Sequence, residues 1–126
     1  MLRIQNTRLA AGSGLFLLGL AAGFGLSVRS ETLRIPSIKT ILENNRVLVR
    51  EVVYEKGARR PTHVRQNDQV IVFLNAADYE VVYPDGRRET KSRQAGETIW
   101  HSRGETAPTL TNTGAGQYRT IVVDLK

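Results

Sequence analysis

Cysteine is absent from this chain of 126 residues. Without a thiol the protein can have no disulfide bond, no thiolate metal ligand and no cysteine nucleophile. A domain of this kind must be held together by strand pairing and by the packing of its own core. The length leaves room for one domain and a short additional segment.

Acidic residues are absent from the first 30 positions, where the basic residues Arg3, Arg8 and Arg29 lie. The whole chain has 18 Lys and Arg and 12 Asp and Glu, so the remainder holds 15 basic against 12 acidic residues, a formal net charge of +3. The high overall pI therefore exaggerates how basic the folded part is.

Aromatic residues are few, at 6% of the chain, and no aromatic-rich strip accompanies the basic pairs at 59–60 and 87–88. Nucleic-acid binding requires basic groups concentrated on one face, where they displace counterions from phosphates. Here the basic pairs are interspersed with Glu55, Asp85 and Glu89. We therefore expect solvated surface charge and no nucleic-acid partner.

A charge-free run, LAAGSGLFLLGLAAGFGLSV, occupies positions 9–28. At about 1.5 Å per residue, a helix of this length spans a hydrocarbon core about 30 Å thick. No polar face interrupts the run, which argues against a buried helix of a soluble protein. We interpret residues 1–30 as a signal peptide or an N-terminal signal-anchor helix.

The choice between these two depends on the apolar length and on a cleavage site of small residues. The run is longer than the roughly 7 to 15 apolar residues of a signal peptide, and its best cleavage positions, Ala21 with Gly23 or Val28 with Ser30, are imperfect. We expect an uncleaved anchor, with secretion as the alternative. In both cases the positive N-terminal flank predicts export, and an anchored domain would lie on the cytoplasmic membrane facing the periplasm or the exterior.

No amphipathic helix pattern follows, and residues 31–45, which include Pro36, are predicted to be a linker with a first short element. Residues 46–126 contain about seven or eight β-prone stretches with turn residues roughly every 8 to 12 positions, a pattern typical of an all-β sandwich or small barrel. The strands are expected within residues 46–57, 69–75, 78–91, 95–100, 109–114 and 117–126.

Two of these stretches allow more specific predictions. QVIVFLN, at 69–75, is apolar on both faces and is predicted to be the most buried strand. DYEVVYPDGRRETK, at 78–91, is predicted to be a hairpin, because Pro84 presets φ and Gly86 accepts a positive φ.

The order of features along residues 49–126 resembles the small single-domain members of the cupin superfamily. It comprises Gly57, HVRQNDQVIVFL, the PDG hairpin, AGETIW, and NTG before the last strand. Asn112 falls at the asparagine that closes the second cupin motif. The resemblance implies a jelly-roll β-barrel with a pocket inside, here preceded by the N-terminal hydrophobic helix.

The same resemblance implies where a metal would be bound. It places His63 at the first histidine of the metal motif, Arg65 at the second histidine and Gln69 at the glutamate. Three or four nitrogen or oxygen donors must converge about 2.0 to 2.2 Å from a divalent ion. Because arginine is permanently charged and offers no lone pair, we expect no metal cofactor, even if His101 points inward as a replacement.

These positions are instead predicted to form a ligand pocket made of His63, Arg65, Gln69 and His101, with no catalytic residue assigned. Arg65 can donate two parallel hydrogen bonds to a carboxylate or phosphate, so a small anionic molecule is the expected ligand. The alternative is that Arg65 pairs with Asp68 or points to solvent, with His63 a polar residue of the wall.

Three functions remain open at this point. The preferred one is a non-enzymatic, membrane-tethered or exported domain that binds a small anion. The second is an enzyme, either a metal-dependent dioxygenase or isomerase, or a metal-free epimerase whose base His63 is oriented by Asp68. The third is a structural or interaction module, for which a homodimer formed by strand pairing across a two-fold axis would cover exposed sheet edges.

Overall fold

A computed structural model of the chain describes residues 33–126, which form eleven β-strands. None of these residues is helical, which confirms the all-β prediction. Three strands contain only two residues each, and the other eight contain four or more. The strands are β1 (Ser37–Glu43), β2 (Val47–Tyr54), β3 (Arg59–Arg60), β4 (His63–Val64), β5 (Asp68–Phe73), β6 (Ala77–Val82), β7 (Arg88–Arg93), β8 (Thr98–His101), β9 (Thr106–Ala107), β10 (Thr109–Asn112) and β11 (Tyr118–Leu125).

The hydrophobic segment at 9–28, interpreted above as an anchor or signal peptide, lies outside the described residues. Within residues 33–126, no helix is long and apolar enough to cross a membrane.

The strands form two main antiparallel sheets that pack face to face. The larger sheet has the order β1-β2-β11-β5-β8, the smaller has the order β3-β10-β6-β7, and β4 pairs separately with β9. The ring of Phe73 on the larger sheet stacks against the ring of Tyr79 on the smaller one, with 6.2 Å between centroids. The described domain is therefore a two-layer antiparallel structure of the jelly-roll type, with its core between the layers.

Strand β1 lies inside the segment predicted to be a linker with a first short element. It pairs with β2 from Ser37, opposite Val53, to Glu43, opposite Leu48. The β-branched residues in this stretch suit a pleated strand. The larger sheet therefore begins at Ser37.

The predicted hairpin is confirmed as β6 and β7. Gly86 has a φ of 89°, the conformation that the PDG sequence predicted. The Tyr83 amide donates to the Arg87 carbonyl at 2.9 Å and closes the turn.

The prediction that residues 69–75 form the most buried strand is wrong. Only Gln69 and Phe73 of β5 are buried, whereas β11 buries every second residue along its length. The reason is position, because β11 lies in the middle of the larger sheet and β5 is one strand from its edge. The apolar Ile71 of β5 faces the cavity described below and is only partly buried.

Candidate functional site

A cavity of about 440 Å³ lies between the two main sheets. This volume is in the range of small-molecule sites. Seven strands, drawn from both sheets, contribute apolar side chains to it, so the cavity is the interior of the β-structure. This apolar wall consists of Ile38, Val52, Ile71, Phe73, Val81, Ile99, Leu110 and Val122.

Strand register places three polar side chains in one row of the larger sheet. Asp124 of β11 lies opposite Gln69 of β5, and Gln69 lies opposite His101 of β8. Because side chains two residues apart share a face of the strand, the next inward row contains Val122 and Ile71. The polar row therefore borders the apolar wall directly.

A chain of buried hydrogen bonds runs through this polar row. The Arg65 Nη1 donates to Gln69 Oε1 at 2.7 Å, and Gln69 Nε2 donates to Asp124 Oδ1 at 2.7 Å. The second oxygen of Asp124 accepts from Arg50 Nη2, also at 2.7 Å. Arg65 is only 5% exposed and Asp124 only 4%. The amide of Gln69 thus joins two buried ions of opposite charge.

Cationic side chains outnumber anionic ones around the cavity. Five basic side chains and one carboxylate, Glu105, line it. Among the described residues, three of these arginines have a buried Nε with no hydrogen-bond partner. Burial, and next the nearby charge of Arg60, lower the pKa of Arg65, as expected where like charges share a poorly solvated space. The five bases are Arg50, Arg60, Arg65, Lys91 and Arg93.

Both histidines of the chain also line the cavity. His63 is exposed and its Nδ1 lies 3.5 Å from the Pro61 carbonyl oxygen. Burial against the barrel, followed by the charge of Arg60, lowers the pKa of His63. Burial and the charge of Arg65 lower the pKa of His101, although Glu105 Oε2, 3.2 Å from its Nδ1, opposes this. Both rings are therefore harder to protonate than a histidine in water.

Four stacked aromatic rings stand next to the apolar wall. Tyr54 and Tyr118 lie opposite each other on neighbouring strands, with their ring centroids 4.8 Å apart. Tyr118 also contacts Phe73 and Tyr79, at centroid distances of 6.0 and 5.9 Å. Burial raises the pKa of both Tyr54 and Tyr118, so these hydroxyls stay protonated.

All four residues predicted to form the pocket line this one cavity: His63, Arg65, Gln69 and His101. The alternative in which Arg65 pairs with Asp68 or points to solvent is wrong, because Arg65 is buried and bonded to Gln69. Asp68 instead accepts a hydrogen bond from the Arg103 amide at 2.8 Å. The proposed pairing of His63 with Asp68 therefore has no support, and the histidine with a carboxylate partner is His101.

Sequence reasoning missed Asp124 and Arg50, which complete the buried hydrogen-bond chain. The sequence did give an indication for Asp124. Side chains at alternate positions of a strand lie on the same face, so the side chain of Asp124 points inward if those of Thr120 and Val122 do. For Arg50 no comparable signal existed, since residues of both parities in 47–54 are largely apolar.

The side chains at the metal positions implied by the family resemblance do not fit a divalent cation. Arg65 is a hydrogen-bond donor only, and both the oxygen and the nitrogen of the Gln69 amide are already bonded. In residues 33–126, no group of three or more His, Cys, Asp or Glu side chains is arranged to hold a metal ion. This donor set lacks the three or four converging nitrogen or oxygen ligands that a divalent ion requires.

Comparison with known proteins gives matches in structure only. No family model matches the chain, and no curated protein sequence matches it. A cupin domain from Bordetella pertussis Tohama I superposes with a TM-score of 0.69 and 18% identity, over 77% of this chain and 99% of the other. The polyketide cyclase RemF from Streptomyces resistomycificus gives 0.59 and 19%, over 75% and 70%. The DMSP lyase DddQ from Ruegeria pomeroyi DSS-3 gives 0.58 and 13%, over 73% and 47%.

Proposed function

The described domain has the fold of the cupin superfamily, and on this premise we propose that it is a non-enzymatic domain that binds a small anion inside the barrel. The main support is Arg65, a buried guanidinium that lines the cavity and whose nearest carboxylate in residues 33–126, that of Glu105, lies 4.0 Å from its Nε. A buried cation without a close counter-ion is stabilised by an anion placed beside it. His63 and His101 would add neutral hydrogen-bonding groups beside that anion.

A thermal-shift and calorimetric screen with organic acids and sugar phosphates tests this proposal. We expect at least one anion to raise the Tm of the wild-type protein, and Arg65→Met to abolish that increase. Arg103→Met is the matched control, because Arg103 is exposed and does not line the cavity. If no anion raises the Tm, or if both variants respond like the wild type, anion binding in the barrel is refuted.

A second candidate is a metal-free enzyme that uses His101 as its base. It is favoured by the hydrogen bond between His101 Nδ1 and Glu105 Oε2, because a carboxylate partner orients a histidine base. The lowered pKa of His101 favours the neutral ring, which is the form that accepts a proton. The fold is also that of two enzymes, a cyclase and a lyase, although at such low identity the likeness concerns the fold alone.

Incubation in D₂O with the anion found by the screen distinguishes binding from proton abstraction. A base would exchange a ligand C–H for deuterium, which mass spectrometry detects, and His101→Gln would abolish the exchange. The binding-only proposal expects an unchanged ligand mass. Elemental analysis of the purified protein tests the alternative of a metal-dependent enzyme. A stoichiometric transition metal would contradict both the donor chemistry at Arg65 and the metal-free mechanism.

We further propose that residues 1–30 tether the domain to the cytoplasmic membrane, with the barrel on the outer side. The support is the charge-free run at 9–28 with arginines on both sides of it. The homodimer expected from the sequence also stays a prediction. Size-exclusion chromatography with light scattering tests it, and a monomer at all concentrations would contradict it.

A further inference from the structure

We infer that the ligand is an amphiphilic anion, with one carboxylate at one end and an alkyl or aryl body. This inference rests on the proposed function and narrows the ligand class. The observation that carries it is the separation of polar and apolar groups along the strands of the larger sheet. The polar row of Asp124, Gln69 and His101 occupies one level of the sheet, the next level is apolar, and the level after that pairs Phe73 with Thr120, whose hydroxyl is the one polar side-chain group of that pair.

The distance between these levels sets the size of the ligand. Gln69 and Phe73 both face inward on β5 and are four residues apart, which corresponds to about 13 Å along a strand at roughly 3.3 Å per residue. The stacked pair of Tyr54 and Tyr118 adjoins the Phe73 level. A body of several methylene groups or one aromatic ring therefore fits between the polar row and the aromatic rings.

The basic groups of the cavity that lack a close carboxylate indicate that the ligand is negatively charged. Arg50, Lys91 and Arg93 each have a carboxylate oxygen within 3.0 Å. For Arg60, no carboxylate of residues 33–126 lies within salt-bridge distance, and for Arg65 the nearest is Glu105, 4.0 Å from its Nε. Two adjacent guanidinium groups thus lack a close counter-ion, which one bound carboxylate would supply.

The apolar wall disfavours a polyhydroxylated anion such as a sugar phosphate. Each hydroxyl placed against Ile71, Ile99 or Val122 would lose its hydrogen bonds to water without replacement. When an alkyl chain binds there instead, its apolar surface and that of the wall are both removed from water, which is favourable. Burial of one methylene corresponds to an increase in affinity of about three- to fourfold.

Calorimetry with a chemical series and the unaltered full chain tests this inference. The probes are acetate, butanoate, hexanoate, octanoate and 3-phenylpropanoate, with hexanamide as a neutral analogue and inorganic phosphate and glucose 6-phosphate as hydrophilic anions, all at one ionic strength. We expect affinity to rise about three- to fourfold per methylene up to the chain length that fills the cavity. Hexanamide should bind at least tenfold more weakly than hexanoate.

The other possible outcomes contradict either the ligand class alone or the proposed function as well. Three results would refute the amphiphilic class: equal affinity along the series, tighter binding of the hydrophilic anions, or equal binding of hexanamide and hexanoate. Each of them would still leave a cavity that binds an anion or another ligand. Failure of every probe to bind would refute the proposed function as well. Arg65→Met should weaken hexanoate binding at least tenfold and Arg103→Met should not, and circular dichroism establishes that both variants are folded.

Discussion

The Gln69 side chain is a neutral group that holds two charges in place. Its oxygen accepts from Arg65 and its nitrogen donates to Asp124, so the amide satisfies one donor and one acceptor that would otherwise be buried without partners. A metal ion placed between these groups would have to break both bonds. The position that resembles a metal ligand in the sequence is therefore a structural bridge in the fold.

Gln69→Leu keeps the volume of this side chain and removes both hydrogen bonds. Arg65 and Asp124 would each lose a buried partner, and we expect the free energy of unfolding to fall by about 2 to 4 kcal/mol. Chemical denaturation measures this change. Gln66→Leu, at an exposed neighbouring position, should change stability by less than about 0.5 kcal/mol; similar values for the two variants would contradict the bridging role.

The two histidines make the stability of the domain depend on pH. Burial and neighbouring arginines lower the pKa of His63 and His101 below the ordinary value of 6.5. As pH falls through 6.5, the unfolded chain therefore binds protons that the folded chain does not, and folding becomes less favourable. We expect a lower Tm at pH 5.5 than at pH 7.5. His63→Gln with His101→Gln should reduce this difference; a Tm that stays constant or rises on acidification would show that the sign is wrong.

At the scale of the elements, the turns were easier to predict than the pairing of the strands. Local chemistry determines a turn such as Pro84 to Gly86, so the hairpin could be identified from a few adjacent residues. The pairing of β5 with β11 joins residues about fifty positions apart, and neither stretch alone indicates its partner. Three of the pocket residues were inferred from the motif resemblance, and strand parity indicated the face of Asp124, but its position opposite Gln69 depended on that long-range register.

The turn before β9 fixes the position of Arg65 through main-chain hydrogen bonds. The Gly104 amide donates to the Arg65 carbonyl at 2.9 Å, and the Arg65 amide donates to the Glu105 carbonyl at 2.9 Å. These two bonds fix the main chain of Arg65 beside the turn that carries Glu105. The guanidinium of Arg65 is therefore positioned from both ends, by the turn and by Gln69.

Gly104→Ala should destabilise this turn. Gly104 has a φ of 86°, and a Cβ there would meet no atom within 4 Å, so the cost is that of the backbone conformation alone. We expect a loss of about 1 to 2 kcal/mol of stability. Gly116→Ala is the matched control, because Gly116 also has open space around it and does not have a positive φ. Equal costs in the two variants, measured by denaturation, would rule out the conformational explanation.

At the scale of the whole molecule, charge is distributed in two distinct ways. Residues 31–126 have a small excess of positive charge, +3, and basic groups are concentrated around the cavity of the described domain. The N-terminal segment instead has its few basic residues on either side of an apolar run. Basic groups inside a cavity are suited to the small anion proposed above, whereas a nucleic acid would need those charges on the surface.

The proposed membrane tether can be tested by fractionating cells that produce the protein. Because an apolar helix of this length is stably inserted in a bilayer, the full chain should stay with the membrane pellet after alkaline carbonate extraction. In the proposed arrangement the N-terminal arginines stay on the cytoplasmic side, so externally added protease should degrade the barrel in spheroplasts. Leu17→Asp with Leu18→Asp places two charges in the middle of the run, at a cost of about 2.5 to 3.5 kcal/mol each, and should release the protein from the pellet. Release of the unaltered chain by carbonate, or protection of the barrel from protease, would contradict the anchored and outward-facing arrangement.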